Sequence, residues 1–455
     1  MQTHSAPMNR ELYRQAKSLI PGGTQLLSKR PEMYAPEQWP AYYREAQGCE
    51  VVDLDGRRYV DMSTMADSLV DDADYMAATT ATAAMAQGGV GNFDQIELMK
   101  WLTGKVVSVR PYIAPNDEGL SGSASPEDVG TLFELIYAYV TAPRVDSTAY
   151  KAYRTRLNAA IENRSSRPES AYGDTIQVTM AQYHHRARPV SPELLEEMDL
   201  ARSAAVYRER FADAGDFHFY FVGNFDPDDL EPMVARYVGG LPAGGRQESW
   251  RDLGMDGPEG VVHKTVRRGV EPKSQTQLMF TGDFDFENRR DRVHIALMAQ
   301  AFQIKLREIL REDMGGTYGV GVGASTSHYP KPGYQLTVRF GCDPERVEEL
   351  TAAVFEQIDS LQTTGLDSTY TDKVKEIRRR EREVNLEENG WWLSMLQWVD
   401  YHGIDAGLIL DTSLVEALTP QDVQQAAQRW FNVERYARFV LMPQEEAASE
   451  QEGGS

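Results

Sequence analysis

Leu12, Ala16, Leu19 and Ile20 recur at helical spacing and Pro21-Gly22-Gly23 closes the run, so the pattern predicts a short helix near the start, followed by an extended proline-rich stretch. Alternation then takes over. Residues 49–54 and 57–62 read as strands joined through Asp55-Gly56, a dipeptide that tolerates a tight turn, and together they predict a hairpin. A lone hairpin is marginal in water and needs a larger sheet to join. Beyond Met65 the texture changes to long helical periods alternating with short strands. The order is strands, helices, strands and long helices, which fits α+β domains better than a parallel doubly wound sheet.

The chain also rhymes with itself. Pro126-Glu127-Asp128-Val129 opens a helix as Pro344-Glu345-Arg346-Val347 does, at an offset of 344 − 126 = 218. Asp146-Ser147-Thr148 precedes a basic helix as Asp367-Ser368-Thr369 does, at 367 − 146 = 221. The run ending at Phe211 resembles the run ending at Phe431, at 431 − 211 = 220. A near-constant offset implies duplication of one unit. The expected organisation is an arm over 1–65, a first copy over 66–240, a glycine-rich linker over 241–258, a second copy over 259–443 and a disordered acidic tail over 444–455.

Composition narrows the function. A 455-residue chain with 41% hydrophobic and 25% charged residues is that of a folded, water-soluble protein. The net charge of −22 repels phosphate backbones and anionic lipid, so neither nucleic acid nor a membrane surface is expected as a partner. No apolar run approaches the roughly 18 residues needed to span a bilayer. The polar start lacks a secretory signal, so a cytoplasmic location is expected. Cys49 and Cys342 form no disulfide framework and no C-x-x-C pair.

Several residues invite chemistry and fail its requirements. His184-His185 would diverge by about 100° on a helix, with no carboxylate at ligand spacing, so surface histidines are the better reading. Gly315, Gly316, Gly319, Gly321 and Gly323 follow a helix where a phosphate loop would precede one, and no Lys-Ser or Lys-Thr comes after them; hinge and turn duty is expected. The six cations over 373–382 are interleaved with Asp372, Glu376 and Glu381, which fits a salt-bridged exposed helix. Trp391, Trp392 and Trp398 on the next helix are expected in a core or an interdomain face.

Residues 66–443 resemble the C-terminal half of insulinase or pitrilysin-type zinc metallopeptidases. The resemblance rests on Gly88-Gly89-Val90-Gly91-Asn92-Phe93 with Leu102-Thr103-Gly104-Lys105, and on Leu310-Arg311-Glu312-Asp313-Met314-Gly315-Gly316-Thr317-Tyr318. It implies two duplicated α+β domains, the family's third and fourth, each an antiparallel sheet of the ferredoxin-like type packed with helices. It also implies that Arg311 and Tyr318 contact the peptide substrate and its developing oxyanion; the alternative is Arg311 paired with Glu308 or Glu312 at a helix end. The family's catalytic H-x-x-E-H, in which two histidines hold zinc and the glutamate activates water, matches none of the eight histidines. This half is therefore expected to hold no metal or cofactor of its own, and to take zinc only through a complementary half that carries the motif.

Residues 1–65 resemble the opening arm of class III pyridoxal-phosphate aminotransferases, of the glutamate-semialdehyde aminomutase branch, through Pro21-Gly22-Gly23, Asp53-Leu54-Asp55-Gly56 and Tyr59-Val60-Asp61-Met62. Lys17 and Lys29 lack the strand-end setting of a Schiff-base lysine. The leading expectation is a non-catalytic peptidase half that binds peptide. A pyridoxal-phosphate enzyme, or a peptide-binding scaffold, is the alternative. The hairpin is expected to be recruited by main-chain pairing into the sheet of the first copy.

Overall fold

The computed structural model of the chain describes residues 43–47, 50–53, 58–65, 72–246 and 250–444, the strands before residue 66 through their main chain. The strands in chain order are β1 (Tyr43–Gln47), β2 (Glu50–Asp53), β3 (Arg58–Met65), β4 (Val107–Ile113), β5 (Asp117–Ala124), β6 (His218–Val222), β7 (Val261–Arg267), β8 (Ser274–Asp283), β9 (Thr317–Ser327), β10 (Gly333–Cys342) and β11 (Tyr436–Met442). The longer helices are α1 (Val129–Thr141), α2 (Ser147–Ser165), α3 (Pro168–Met180), α4 (Leu200–Arg210), α5 (Arg289–Arg307), α6 (Val347–Thr363), α7 (Ser368–Asn385), α8 (Asn389–Tyr401) and α9 (Pro420–Trp430).

Local sequence sets these elements, as α9 illustrates. The Thr419 hydroxyl accepts from the Asp422 N–H while the Asp422 carboxylate accepts from the Thr419 N–H, a reciprocal cap, and Pro420 fills the first position, where no N–H is needed. Val423, Ala426, Ala427 and Trp430 then share one buried face. Burying the larger of such side chains stabilises the fold by about 1.5–3 kcal/mol each.

The chain divides into two compact units. One holds the described residues up to Tyr153, with Met198–Trp250 and Arg380–Leu410; the other holds Arg154–Glu197, Arg251–Arg379 and the described residues from Asp411 onward. Neither matches a continuous segment such as 66–240 or 259–443, because the boundaries fall inside α2 and α7, and the helix after each is counted with the sheet of the other copy. Hydrophobic periodicity reports that a helix has an apolar face; it does not report which sheet covers it.

In the first unit the strand order is β4-β5-β3-β6, every neighbouring pair antiparallel. Leu120, Phe133, Tyr207 and Phe211 are among its buried core residues, and α8 packs against β3 and β6. Its Trp391 and Trp392 are half-buried and Trp398 is exposed, so they are not core. The expected hairpin is not formed: β2 pairs with β1 in a separate two-stranded sheet, while β3 pairs with β5 and β6. Recruitment into the sheet is thus observed for β3. Asp55-Gly56, the helix expected around Leu12–Ile20 as residues 12–20, and the tail over 445–455 lie outside the described residues.

In the second unit the order is β7-β11-β8-β10-β9. The sheet is mixed where an antiparallel one was expected, since β11 runs parallel to β7. Helix α3 covers one face of this sheet: Tyr172 is buried with Met279, Ala437, Phe439 and Leu441, and its hydroxyl donates to the Phe439 carbonyl at 3.2 Å.

Candidate functional site

The stretch that carries Arg311 and Tyr318 lies where α5 ends and β9 begins, within the second unit. Asn288 caps α5 by accepting from the Arg290 and Asp291 N–H groups, and Ile295, Met298, Phe302 and Leu306 bury one stripe of it. The last turn widens into a π-helix, Glu308–Asp313. The Met314 N–H donates to the Ile309 carbonyl at 3.0 Å and the Gly316 N–H to the Leu310 carbonyl at 2.9 Å. Gly315 then takes a φ of 58°, in the left-handed region where glycine is favoured. At Gly316 a Cβ would stand 2.6 Å from the Leu350 side chain, so any larger residue would have to displace this buried leucine of α6. Arg346 donates to the Met314 carbonyl at 3.3 Å and the Thr317 hydroxyl to the Gly341 carbonyl at 2.6 Å, fixing both sides of the turn.

Arg311 is exposed on the π-helical turn and makes no ion pair or hydrogen bond with a described residue, so its expected alternative partners Glu308 and Glu312 do not hold it. Tyr318 contributes its main chain to β9, and its side chain lies outside the described residues. Glu308 is engaged elsewhere. It accepts from the Tyr370 hydroxyl and from Lys373 Nζ at 2.9 Å, while Lys305 and Lys373 stand 5.6 and 5.2 Å from the centre of the Tyr370 ring. The hydrogen bond from Tyr370 holds the Glu308 carboxyl below the usual glutamate range. Burial, and then the donation to Glu308, push the Tyr370 hydroxyl up to about 12. A groove of about 590 Å³ runs here between α5 and α7, lined by Ile304, Glu308, Glu312, Thr369, Lys373 and Ile377 among others.

The remaining candidates resolve individually. The basic run lies on α7 with Arg380 paired to Glu383 at 3.0 Å and Arg379 to Glu416 and Glu376, the expected salt-bridged face. His184 caps a short turn by accepting from the Arg186 N–H at 3.2 Å, and His185 contacts Arg188 at 3.0 Å. Among the described residues no group of three His, Cys, Asp or Glu side chains is placed to hold a metal ion, and no helix is long and apolar enough to cross a membrane. Gly315 and Gly316 do form a turn, but Gly319, Gly321 and Gly323 lie inside β9, a correction to the hinge expected of all five. Their alternation with Val320 and Val322 was the available signal of a strand.

Residues 201–378 match the peptidase M16 inactive domain. That match covers residues 201–250 of the first unit and much of the second unit, and none of the eight histidines of the chain stands in an H-x-x-E-H motif. The zinc protease PQQL-like of Arabidopsis thaliana is 24% identical over 344 residues, 70% of this chain and 36% of the relative. The periplasmic protease PqqL from Escherichia coli superimposes with a TM-score of 0.74 at 18% identity, covering 89% of this chain and 46% of that one. A peptidase M16 inactive domain from Pseudomonas fluorescens gives a TM-score of 0.67 at 16% identity, covering 86% and 93%. The chain therefore spans less than half the length of the zinc proteases it matches. The aminotransferase resemblance is short: 38% identity over 50 residues to 3-aminobutyryl-CoA aminotransferase of Cloacimonas acidaminovorans, 11% of this chain.

Proposed function

We propose that the chain is the C-terminal, non-catalytic half of an insulinase or pitrilysin-type zinc metallopeptidase, which binds peptide and completes the active site of a zinc-bearing half. The observation that carries this reading is the match of residues 201–378 to the M16 inactive domain in a chain without H-x-x-E-H. The two duplicated copies correspond to the third and fourth domains of such an enzyme. Arg311 and Tyr318 act as substrate contacts: a guanidinium and a phenol both donate hydrogen bonds to a carbonyl that becomes an oxyanion, and neither competes for zinc. An exposed Arg311 with no ion-pair or hydrogen-bond partner among the described residues supports that role. The Escherichia coli structure is of a periplasmic protease, so the cytoplasmic expectation finds no support there.

Mixing the chain with an H-x-x-E-H-bearing half should produce chelator-sensitive peptide hydrolysis that neither protein gives alone. Arg311→Ala should then lower turnover by about 10²–10³, the range for loss of one oxyanion donor, while leaving the melting temperature unchanged. Stoichiometric zinc and cleavage in the isolated chain, or an Arg311→Ala pair with parent kinetics, would overturn the assignment. Added pyridoxal phosphate should give no borohydride-reducible aldimine absorbance.

A further inference from the structure

Single apolar side chains on a protein surface need no explanation, but a contiguous exposed patch marks a place that something covers. In the first unit Phe93, Ile96, Met99, Trp101 and Val106 are all exposed, Ile96 at 60% and Met99 at 56%. Ile96 and Met99 lie three apart on one face of the short helix Gln95–Trp101, with Phe93 leading into it. Leu98 takes the other face and is buried in the core.

Loose chain does not account for this exposure. Asp94 accepts from the Ile96 and Glu97 N–H groups while Glu97 accepts from the Asp94 N–H, a reciprocal cap that fixes the helix. The Val90 and Phe93 main chains exchange two hydrogen bonds of 3.0 Å. At Gly89, where φ is 86°, a Cβ would stand 2.2 Å from the Phe93 carbonyl oxygen, so a side chain there would collide with the main chain of the loop. The Phe93 and Trp101 rings stack with their centres 5.6 Å apart, and Lys105, which donates to Thr131 at 2.9 Å, stands 5.5 Å from the centre of the Trp101 ring. The patch is built and held, yet no described residue covers it.

Strand register shows which part of the chain is delivered to this place. Ala124 on β5 pairs with Val107 on one side and with Arg58 on the other, so β3 begins at the end of the sheet where β4 begins, and Val107 directly follows Val106 of the patch. Two strand spacings separate them, about 10 Å. The chain that leads into Arg58 is the arm. Its residues 12–20 carry an apolar stripe, Leu12, Ala16, Leu19 and Ile20, opposed by Arg14, Gln15, Lys17 and Ser18. A helix that short is marginal in water without apolar cover. The 43 − 20 = 23 residue steps from Ile20 to Tyr43 span up to about 75 Å when extended, so reach is no obstacle. Size points the same way: the exposed parts of five side chains offer on the order of a few hundred Å², enough for one stripe of a short helix and well below the roughly 800 Å² per partner of a stable dimer.

We propose that residues 12–20 of the arm dock on this patch as an amphipathic helix, with Leu12, Ala16, Leu19 and Ile20 against Phe93, Ile96, Met99 and the Trp101 ring. The arm is then held to the first unit at two points, by main-chain pairing through β3 and by apolar contact through this helix, and each apolar face supplies the cover that the other lacks. The docking goes beyond the peptidase reading and stands or falls without it.

Hydrogen exchange on the full chain tests this. The amides of residues 13–20 should exchange about tenfold or more slowly than those of an unstructured chain. Ile96→Asp with Met99→Lys, which places an acid in the first turn and a base in the last and so suits the helix dipole, should remove that protection while β4 and β5 keep theirs. In the reciprocal variant, Leu19→Asp with Ile20→Asp, hydrogen peroxide should convert Met99 to its sulfoxide about threefold or more faster than in the parent, as the cover is gone. This variant alters neither sheet, so its result stands even where the patch variant loosens β4. Unprotected residues 13–20 in the parent, protection that survives the patch variant, or an unchanged rate of Met99 oxidation would overturn the docking. Protection that rises with protein concentration, together with a dimer in sedimentation, would assign the patch to a second copy and overturn it as well.

Discussion

Between β5 and β6 the first sheet places Arg58–Met65, from the arm; between β10 and β11 the second places Ser274–Asp283, from the repeat itself. Both strands are antiparallel to both neighbours, and the orders β4-β5-β3-β6 and β9-β10-β8-β11 correspond strand for strand. A strand whose sequence resembles another family thus fills a central place, because ladder pairing demands extended backbone and alternation more than particular side chains. The cores differ more than the topology. On β5 the carboxylate of Glu118 is fully buried and accepts from Arg210 at 2.6 and 2.7 Å, with Arg246 at 3.6 Å. The corresponding positions of the second unit, at offsets of 336 − 118 = 218 and 430 − 210 = 220, are Leu336 and Trp430, 0% and 3% exposed. One architecture accepts a buried ion pair in one copy and apolar packing in the other.

The harshest way to break this comparison is to delete residues 58–65. The first unit should then lose the amide protection of β5 and β6 in hydrogen exchange while β8 and β10 of the second keep theirs. Persistent protection of β5 and β6 would mean that β3 is dispensable. Next in size is Glu118→Gln, which leaves Arg210 buried without its counter-charge and should cost about 3–5 kcal/mol in urea unfolding. The double change Glu118→Leu with Arg210→Met, which imitates the second unit, should be near neutral or stabilising. A single mutant as stable as the parent would contradict the buried pair. The smallest effect is expected at Glu308, whose carboxyl is held below the ordinary range by Tyr370 and then Lys373. A lowered folded value adds stability above the ordinary glutamate range, and that increment is lost as pH falls through the lowered value. Glu308→Gln should flatten this acidic part of the stability profile and change little at neutral pH; an unaltered profile would show the contact to be idle.

Much of the candidate site was legible because its signals are local. Gly315 and Gly316 announced a turn, and the i,i+3 acids among the cations of α7 announced a salt-bridged face. Other features were hidden because they depend on distant chain. The engagement of Glu308 by Tyr370 and Lys373 spans more than sixty positions, as its separations of 62 and 65 record. The edge character of β9 and the reach of Arg339 over Gly321 likewise follow from sheet order, which no window of sequence contains.

By itself the sequence determined the α+β class, the duplication, the capped helices and the lack of a catalytic zinc motif, because periodicity, capping and motif spacing act within a few turns of chain. Only the tertiary structure decided that Tyr43–Gln47 takes Glu50–Asp53 as partner while Arg58–Met65 enters the sheet, that α3 and α8 serve the sheets of the opposite copies, and that one copy buries charge where the other buries tryptophan. Those outcomes are choices among partners. An apolar face or an unpaired main-chain edge creates the need for cover, and only the assembled fold fixes which distant element supplies it.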